Sequence, residues 1–238
     1  MSQHVFAWVA GFGWTLMPHA PFRFERVPGR SRTARVRRHG PSGTLEATVT
    51  VLENGEVEWE LGPGTERLDQ ALDLLRGAAF GHWTTGASYD HWRVETSVFT
   101  ISWPEGFAVE SVPSSPPPFD LVGPDDARIW IQGPIPEARL DPLDRMEGPG
   151  QRTERIMECA GGPLVELVYE HEGAPWRMFH CIVDRNPPRR RGVLSFLRRE
   201  PPRYACVVSA QTPERGADRA REAVEEVAAS LTPCPPEP

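Results

Sequence analysis

Twenty-six prolines and 21 glycines are spread along the whole chain and together make up about a fifth of its 238 residues. Proline fixes φ and removes a backbone donor, while glycine weakens the interior of a helix or strand. Punctuation this dense confines the chain to short elements joined by many turns. It stays below the density of collagen-like or low-complexity sequence, and it excludes a coiled coil. A hydrophobic fraction of 39% and a charged fraction of 25% fit a soluble globular protein with one large domain or two small ones.

Within these limits, alternation of apolar and polar residues gives the main structural signal. Residues 22–26 and 33–38 alternate, as do 44–52 and 56–61 on either side of Asn54-Gly55, and alternation around Asn-Gly predicts a β-hairpin. In its second arm Glu56, Glu58 and Glu60 are expected to face water and Val57, Trp59 and Leu61 a core. Gly62-Pro63-Gly64 ends this sheet, and Thr65 is placed to cap a helix to about Ala79, with Leu68, Leu72, Leu75 and Ala79 as its apolar stripe. A long strand is predicted from His91 to Trp103, and a boundary near residue 92 divides a strand-rich lobe, 1–92, from a second domain, 93–233.

The second domain reads as strands followed by one helix. Strands are predicted at 119–122, 127–132, 164–170, 176–184 and 204–210, with a tight turn at Glu172-Gly173, and residues 133–155 are expected to hold at most one short helix. The last element has Thr212 as its expected cap, Pro213 in the first helical position, and an apolar side of Ala217, Ala220, Val224, Val227 and Leu231. The Pro-rich tail 234–238 cannot continue it. The fold class expected is therefore α+β, an antiparallel sheet with a C-terminal helix packed on it, preceded by a smaller lobe.

Two short motifs add to this reading: Trp103-Pro104-Glu105-Gly106-Phe107 where the second domain begins, and Ser230-Leu231 at the end of its helix. With the order of elements between them, residues 98–233 resemble the PsbP/DcrB-like superfamily, which includes the Mog-type Ran-binding proteins. A similar Pro-Glu-Gly-Phe turn opens that domain, and a strand and helix ending near Ser-Leu close it. Pro-rich text in the middle of this chain stands where the family has a long helix. The resemblance implies an antiparallel sheet flanked by helices and a role as a binding module, secretion chaperone or assembly factor. It implies no shared catalytic residues.

Every fixed cation is arginine, because the chain has no lysine, which excludes a Schiff-base lysine and a P-loop. Seven arginines and one glutamate fall between Arg185 and Arg203, in an insertion between two predicted core strands where a hairpin needs only a few residues. Here Arg189, Arg190, Arg191, Arg198 and Arg199 flank an apolar patch of Val193, Leu194, Phe196 and Leu197. Arginine forks with apolar anchors suit an acidic or mixed apolar protein surface. An anionic membrane is a second class of partner, while the net charge of −7 argues against nucleic acid. The competing structural reading is a loop whose apolar residues fold back on the sheet.

An alternative site lies at residues 80–92. There His82, Trp83, Tyr89, Asp90, His91 and Trp92 bring together groups able to line a small-molecule pocket, bind metal or move protons. Their spacing matches no metal signature, and no cofactor or catalytic residue is assigned. A second basic run, Arg23 to Arg38, is expected to be a solvated face balanced by the glutamates of 56–60. The four cysteines lack CxxC spacing and read as buried thiols of a reducing cytoplasm, with a Cys181–Cys206 pairing left open. The apolar stretch 5–17 has no basic residues before it and is too short for a bilayer span, so a cytoplasmic location is expected.

Overall fold

The computed structural model describes residues 5–9, 12–16, 22–30, 33–40, 43–51, 57–62, 93–96, 99–111, 119–140, 146–186 and 203–233. The predicted helix at 65–79 and the tail 234–238 lie outside them. Strands β1 (Val5–Val9), β2 (Phe12–Leu16), β7 (Arg93–Thr96), β8 (Phe99–Ser102) and β16 (Thr232–Pro233) form a small sheet in the order β16-β8-β7-β1-β2. A larger sheet has eleven strands. From the N-terminal half come β3 (Phe22–Arg26), β4 (Thr33–Gly40), β5 (Gly43–Val51) and β6 (Val57–Leu61). From the C-terminal half come β9 (Ala108–Ser111), β10 (Phe119–Val122), β11 (Arg128–Pro136), β12 (Arg152–Cys159), β13 (Gly162–His171), β14 (Ala174–Val183) and β15 (Tyr204–Pro213). Their order is β12-β13-β14-β15-β11-β10-β9-β3-β4-β5-β6, and adjacent strands run antiparallel.

Among the described residues one α-helix, α1 (Ala217–Ser230), lies against the large sheet, an α+β arrangement with a helix packed on an antiparallel sheet. Ala220, Ala223, Val224, Val227 and Ala228 are its buried residues, a stripe at helical spacing. They share one core cluster with Leu164, Phe179, Cys181, Val183, Val208 and Ala210 of the sheet. The helix comes close to the β12–β13 turn at Gly161, where an added Cβ would fall 2.4 Å from that of Ala228. The β3–β9 ladder carries the sheet across position 92, and Phe24, Ala34 and Ala47 share one core cluster with Phe107, Val109 and Leu121. Among the described residues no helix is long and apolar enough to cross a membrane.

The expected hairpin around Asn54-Gly55 is present, with Val51 opposite Val57, Glu58 and Glu60 exposed, and Leu61 packed on the core. Elsewhere four expectations are corrected. The predicted long strand 91–103 is a pair, β7 and β8, with Val94 opposite Ile101. Inward positions change parity from Val94 to Phe99 and Ile101, which marks the chain reversal. Residues 133–155 hold the short 3-10 turn Glu137–Arg139 and also the start of β12. β12 is an edge strand with Arg152, Glu154, Arg155, Ile156 and Glu158 exposed, so it lacks the apolar run of a central strand.

The third correction concerns the start of the last helix. Thr212 stays in β15 opposite Arg177 and donates its hydroxyl to the Pro213 carbonyl. A 3-10 turn, Glu214–Gly216, intervenes, and Gly216 is the N-cap residue without a side-chain cap. The fourth concerns the basic run. Among the described residues its arginines pair with Glu25, Glu46 and Glu110 and not with Glu58 or Glu60, because β6 joins the sheet through β5, where Glu58 and Glu60 face Thr50 and Thr48.

Candidate functional site

Residues 187–202, and with them Arg189, Arg190, Arg191, Leu194, Phe196, Leu197, Arg198 and Arg199, lie outside the described residues. The two ends that carry this insertion are described in full. The β14–β15 ladder has its last pair at Val183 and Cys206. Beyond it the connection continues through side chains. Asn186 donates from Nδ2 to the Tyr204 carbonyl at 2.5 Å, and its Oδ1 accepts from the Tyr204 N–H at 3.3 Å. Asp184 accepts from the Asn186 N–H at 2.8 Å and from Arg203 at 3.0 Å. Arg203 also reaches Glu137 at 2.9 Å, and its own carbonyl accepts from the Glu137 N–H at 2.9 Å. This clip binds the insertion's far end to the strand-end turn after β11.

The near end is fixed to the helix. Arg185 donates to the carbonyls of Ala228, Ala229 and Leu231 at 2.9, 2.8 and 3.2 Å. Those carbonyls belong to the last turn of α1 and to Leu231, its C-cap residue, and a helix end leaves its final acceptors without intrahelical partners and attracts a cation. Burial disfavours the Asp184 carboxylate, but donation from Asn186 and Arg203 outweighs it and holds its pKa below the ordinary aspartate value. The seven arginines of the run therefore divide. Arg185 and Arg203 are used in the stem, and the other five belong to the segment between them. Sequence reasoning treated all seven alike; the stem residues had no signal of their own because their partners lie on distant elements.

The alternative pocket at residues 80–92, with His82, Trp83, Tyr89, Asp90, His91 and Trp92, lies wholly outside the described residues. Elsewhere the structure brings together one imidazole–hydroxyl pair that the sequence did not reveal. His180 Nδ1 and Ser209 Oγ are 2.9 Å apart on neighbouring strands. Burial holds the His180 pKa below the ordinary value, which keeps the ring neutral. Ser209 is 1% exposed, so its hydroxyl has no route to a substrate. The pair is a satisfied packing contact on the face away from α1.

Cys159, Cys181 and Cys206 are free thiols. Cys181 and Cys206 sit on adjacent strands, but each faces a valine, Val208 and Val183. Burial, first of all, raises the thiol pKa of Cys181, and burial alone pushes Cys206 up to about 11. Cys181 instead touches Cys159, with the sulfurs 3.7 Å apart. These two come from strands separated by β13. Two strand spacings put their backbones about 10 Å apart, beyond the roughly 7 Å that a disulfide spans. The contact is one between packed thiols. Among the described residues no cluster of histidine, cysteine, aspartate and glutamate is able to hold a metal ion. No family model, curated protein or solved structure matches this chain.

Proposed function

We propose that the chain is a non-enzymatic protein-binding module, adaptor or chaperone-like, whose binding element is the arginine-rich insertion 187–202. One observation supports this reading above the others: both ends of the insertion are built into the fold by directed side chains. A connection with no role needs only a short turn between β14 and β15. Here Asn186 and Asp184 extend the stem beyond the ladder, Arg203 ties it to Glu137, and Arg185 ties it to the end of α1. A rigid mount lowers the ordering cost when a segment is used for recognition. The five arginines left to the insertion offer forks to carboxylates of a partner, with Leu194, Phe196 and Leu197 as apolar anchors. We further propose that residues 98–233 form a PsbP/DcrB-like domain, since the helix-on-sheet arrangement and the 103–107 turn agree with that resemblance.

The test is affinity capture from native lysate with the wild type beside the triple variant Arg189→Glu, Arg190→Glu, Arg191→Glu. Mass spectrometry is expected to find a partner on the wild type that the variant has lost, with the melting temperature unchanged. Identical capture by both proteins would remove the insertion from the binding site.

A further inference from the structure

A second site lies on different elements. The turn after β3, the 103–107 turn and the β10–β11 turn enclose a cleft of about 400 Å³, a size that suits a small molecule. Ladder pairing places Arg35, Glu25, Ala108 and Val122 in one row on four neighbouring strands. Ala108 is a small, buried residue between a charged pair and an apolar one, at the base of the cleft. Phe107 is 2% exposed and packs over Gly123, where an added Cβ would come within 2.4 Å of its ring. The cleft thus has an apolar wall that is already in place.

Its polar groups are unbalanced. Three arginines line it, Arg23, Arg26 and Arg35, against one acidic residue, Glu25. Arg23 is held by Glu25 at 2.7 Å and by Glu110 at 3.2 Å. Arg26 donates to the Trp103 carbonyl at 3.0 Å, which fixes the turn that forms one wall. That turn is held again by Trp103 Nε1 donating to the Phe107 carbonyl at 2.7 Å. Arg35 differs. Its Nε lies 3.2 Å from a carboxylate oxygen of Glu46 without the alignment of a hydrogen bond, and this buried N–H has no acceptor among the described residues. A buried donor without an acceptor is rare in folded proteins and marks a place where a water, ion or ligand belongs.

We infer that this cleft binds a small organic anion, whose carboxylate or phosphate oxygens take donors of Arg35 and Arg26 and whose carbon frame lies on the half-buried Val27 and Val122. A guanidinium carries five donors in a planar fork that matches either oxyanion. Arg23, already held by two carboxylates, is a positioning residue that keeps Glu25 away from the bound anion. The overall charge of −7 makes this a local basic site within an acidic protein, so binding should weaken as salt rises. The inference does not depend on the insertion 187–202, and either can fail without the other.

The experiment titrates the full chain with citrate and, separately, with inorganic phosphate, read by calorimetry and by thermal shift. Saturable binding of at least one is expected, with a rise in melting temperature. Tighter citrate would identify a carboxylate ligand, and tighter phosphate a phosphate ester. Arg35→Met should weaken the preferred anion about tenfold or more, the loss of a charge-assisted fork. Arg35→Lys should restore only part, because charge returns without the fork. Arg152→Met, which removes an equal charge from an exposed site on β12, should bind as the wild type does. No saturation by either anion, or equal losses in the Arg35 and Arg152 variants, would overturn the inference.

Discussion

The large sheet carries one arginine network on each face, and the two differ in burial rather than in chemistry. On the face that supports α1, Arg177 binds Glu214 through two nitrogens at 2.5 and 2.8 Å and reaches Glu154 and Glu166 at 3.1 Å. Arg155 holds the other oxygen of Glu166, whose side chain is 5% exposed. On the opposite face a ladder runs from Glu110 through Arg23, Glu25, Arg37 and Glu46 to Arg35, with every member between a quarter and two-fifths exposed. Water reaches every side chain of the ladder, so each pair gains little. Glu166 has no such alternative and depends on its two arginines.

The largest expected effect breaks the buried network. Arg177→Ala removes one of the two cations on Glu166 and also frees Glu214, which begins the turn leading into α1. Orphaning a buried charge costs about 3–5 kcal/mol. Arg155 still reaches Glu166, so the loss should be on the order of 2–3 kcal/mol, read from denaturant midpoints. Adding Arg155→Ala should cost more than the sum of the two single changes, because the last partner is then gone. Additive losses would show that Glu166 finds solvent and that the contrast between the faces is false. Next in size is Arg185→Ala, which uncaps three carbonyls at the end of α1 and should cost about 1 kcal/mol.

What could be read from the sequence follows the same division between near and distant partners. The β5–β6 hairpin, β13, β14, β15 and the stripe of α1 rest on local periodicity, and each was legible. The start of α1 was misplaced because Thr212-Pro213 has the form of a cap while its backbone completes a strand ladder. β12 was missed because an edge strand needs few apolar residues. The charge partners were out of reach: Arg23 meets Glu110 across 87 positions, through a strand order that no local pattern encodes. Of the candidate site, the place of the insertion was legible because core strands stand on both sides of it. The separate use of Arg185 and Arg203 was not, because it depends on where α1 ends and where Glu137 lies.

Acid offers a smaller test of the same contrast. Hydrogen bonding from Arg177 holds the Glu214 pKa below the ordinary value of 4.5. A depressed folded-state pKa means that the unfolded chain binds the proton more readily. The resulting stability is present above about pH 4.5 and is lost as pH falls through the folded value. Glu214→Gln should therefore flatten the pH dependence of the melting temperature below pH 4.5. His180 acts in the same direction in a higher window. Burial lowers its pKa, so its contribution is present above about pH 6.5 and lost below. His180→Gln should remove the stability change between pH 6.5 and the folded value, checked by thermal melts across that range.

The smallest effect is expected on the ladder, and it sharpens the comparison most. Arg37 is 31% exposed and touches both Glu25 and Glu46 at 3.3 and 2.9 Å. By contact alone it resembles Arg177. If contacts set the energy, Arg37→Ala should cost as much as Arg177→Ala. If burial sets it, the cost should stay near 0.5 kcal/mol, as for other exposed pairs, and should shrink further when salt shortens the screening length. Removing Arg37 also leaves Arg23 and Arg35 on the same two carboxylates, so neither glutamate is stranded. Denaturant midpoints of both variants at low and high salt separate the alternatives. The Arg177 loss should persist in salt, since the charge it strands is out of water, and the Arg37 loss should fade. A ladder that proved as costly and as salt-resistant as the Arg177–Glu166 network would mean that β3–β5 are covered in solution by something that keeps water from their charged face.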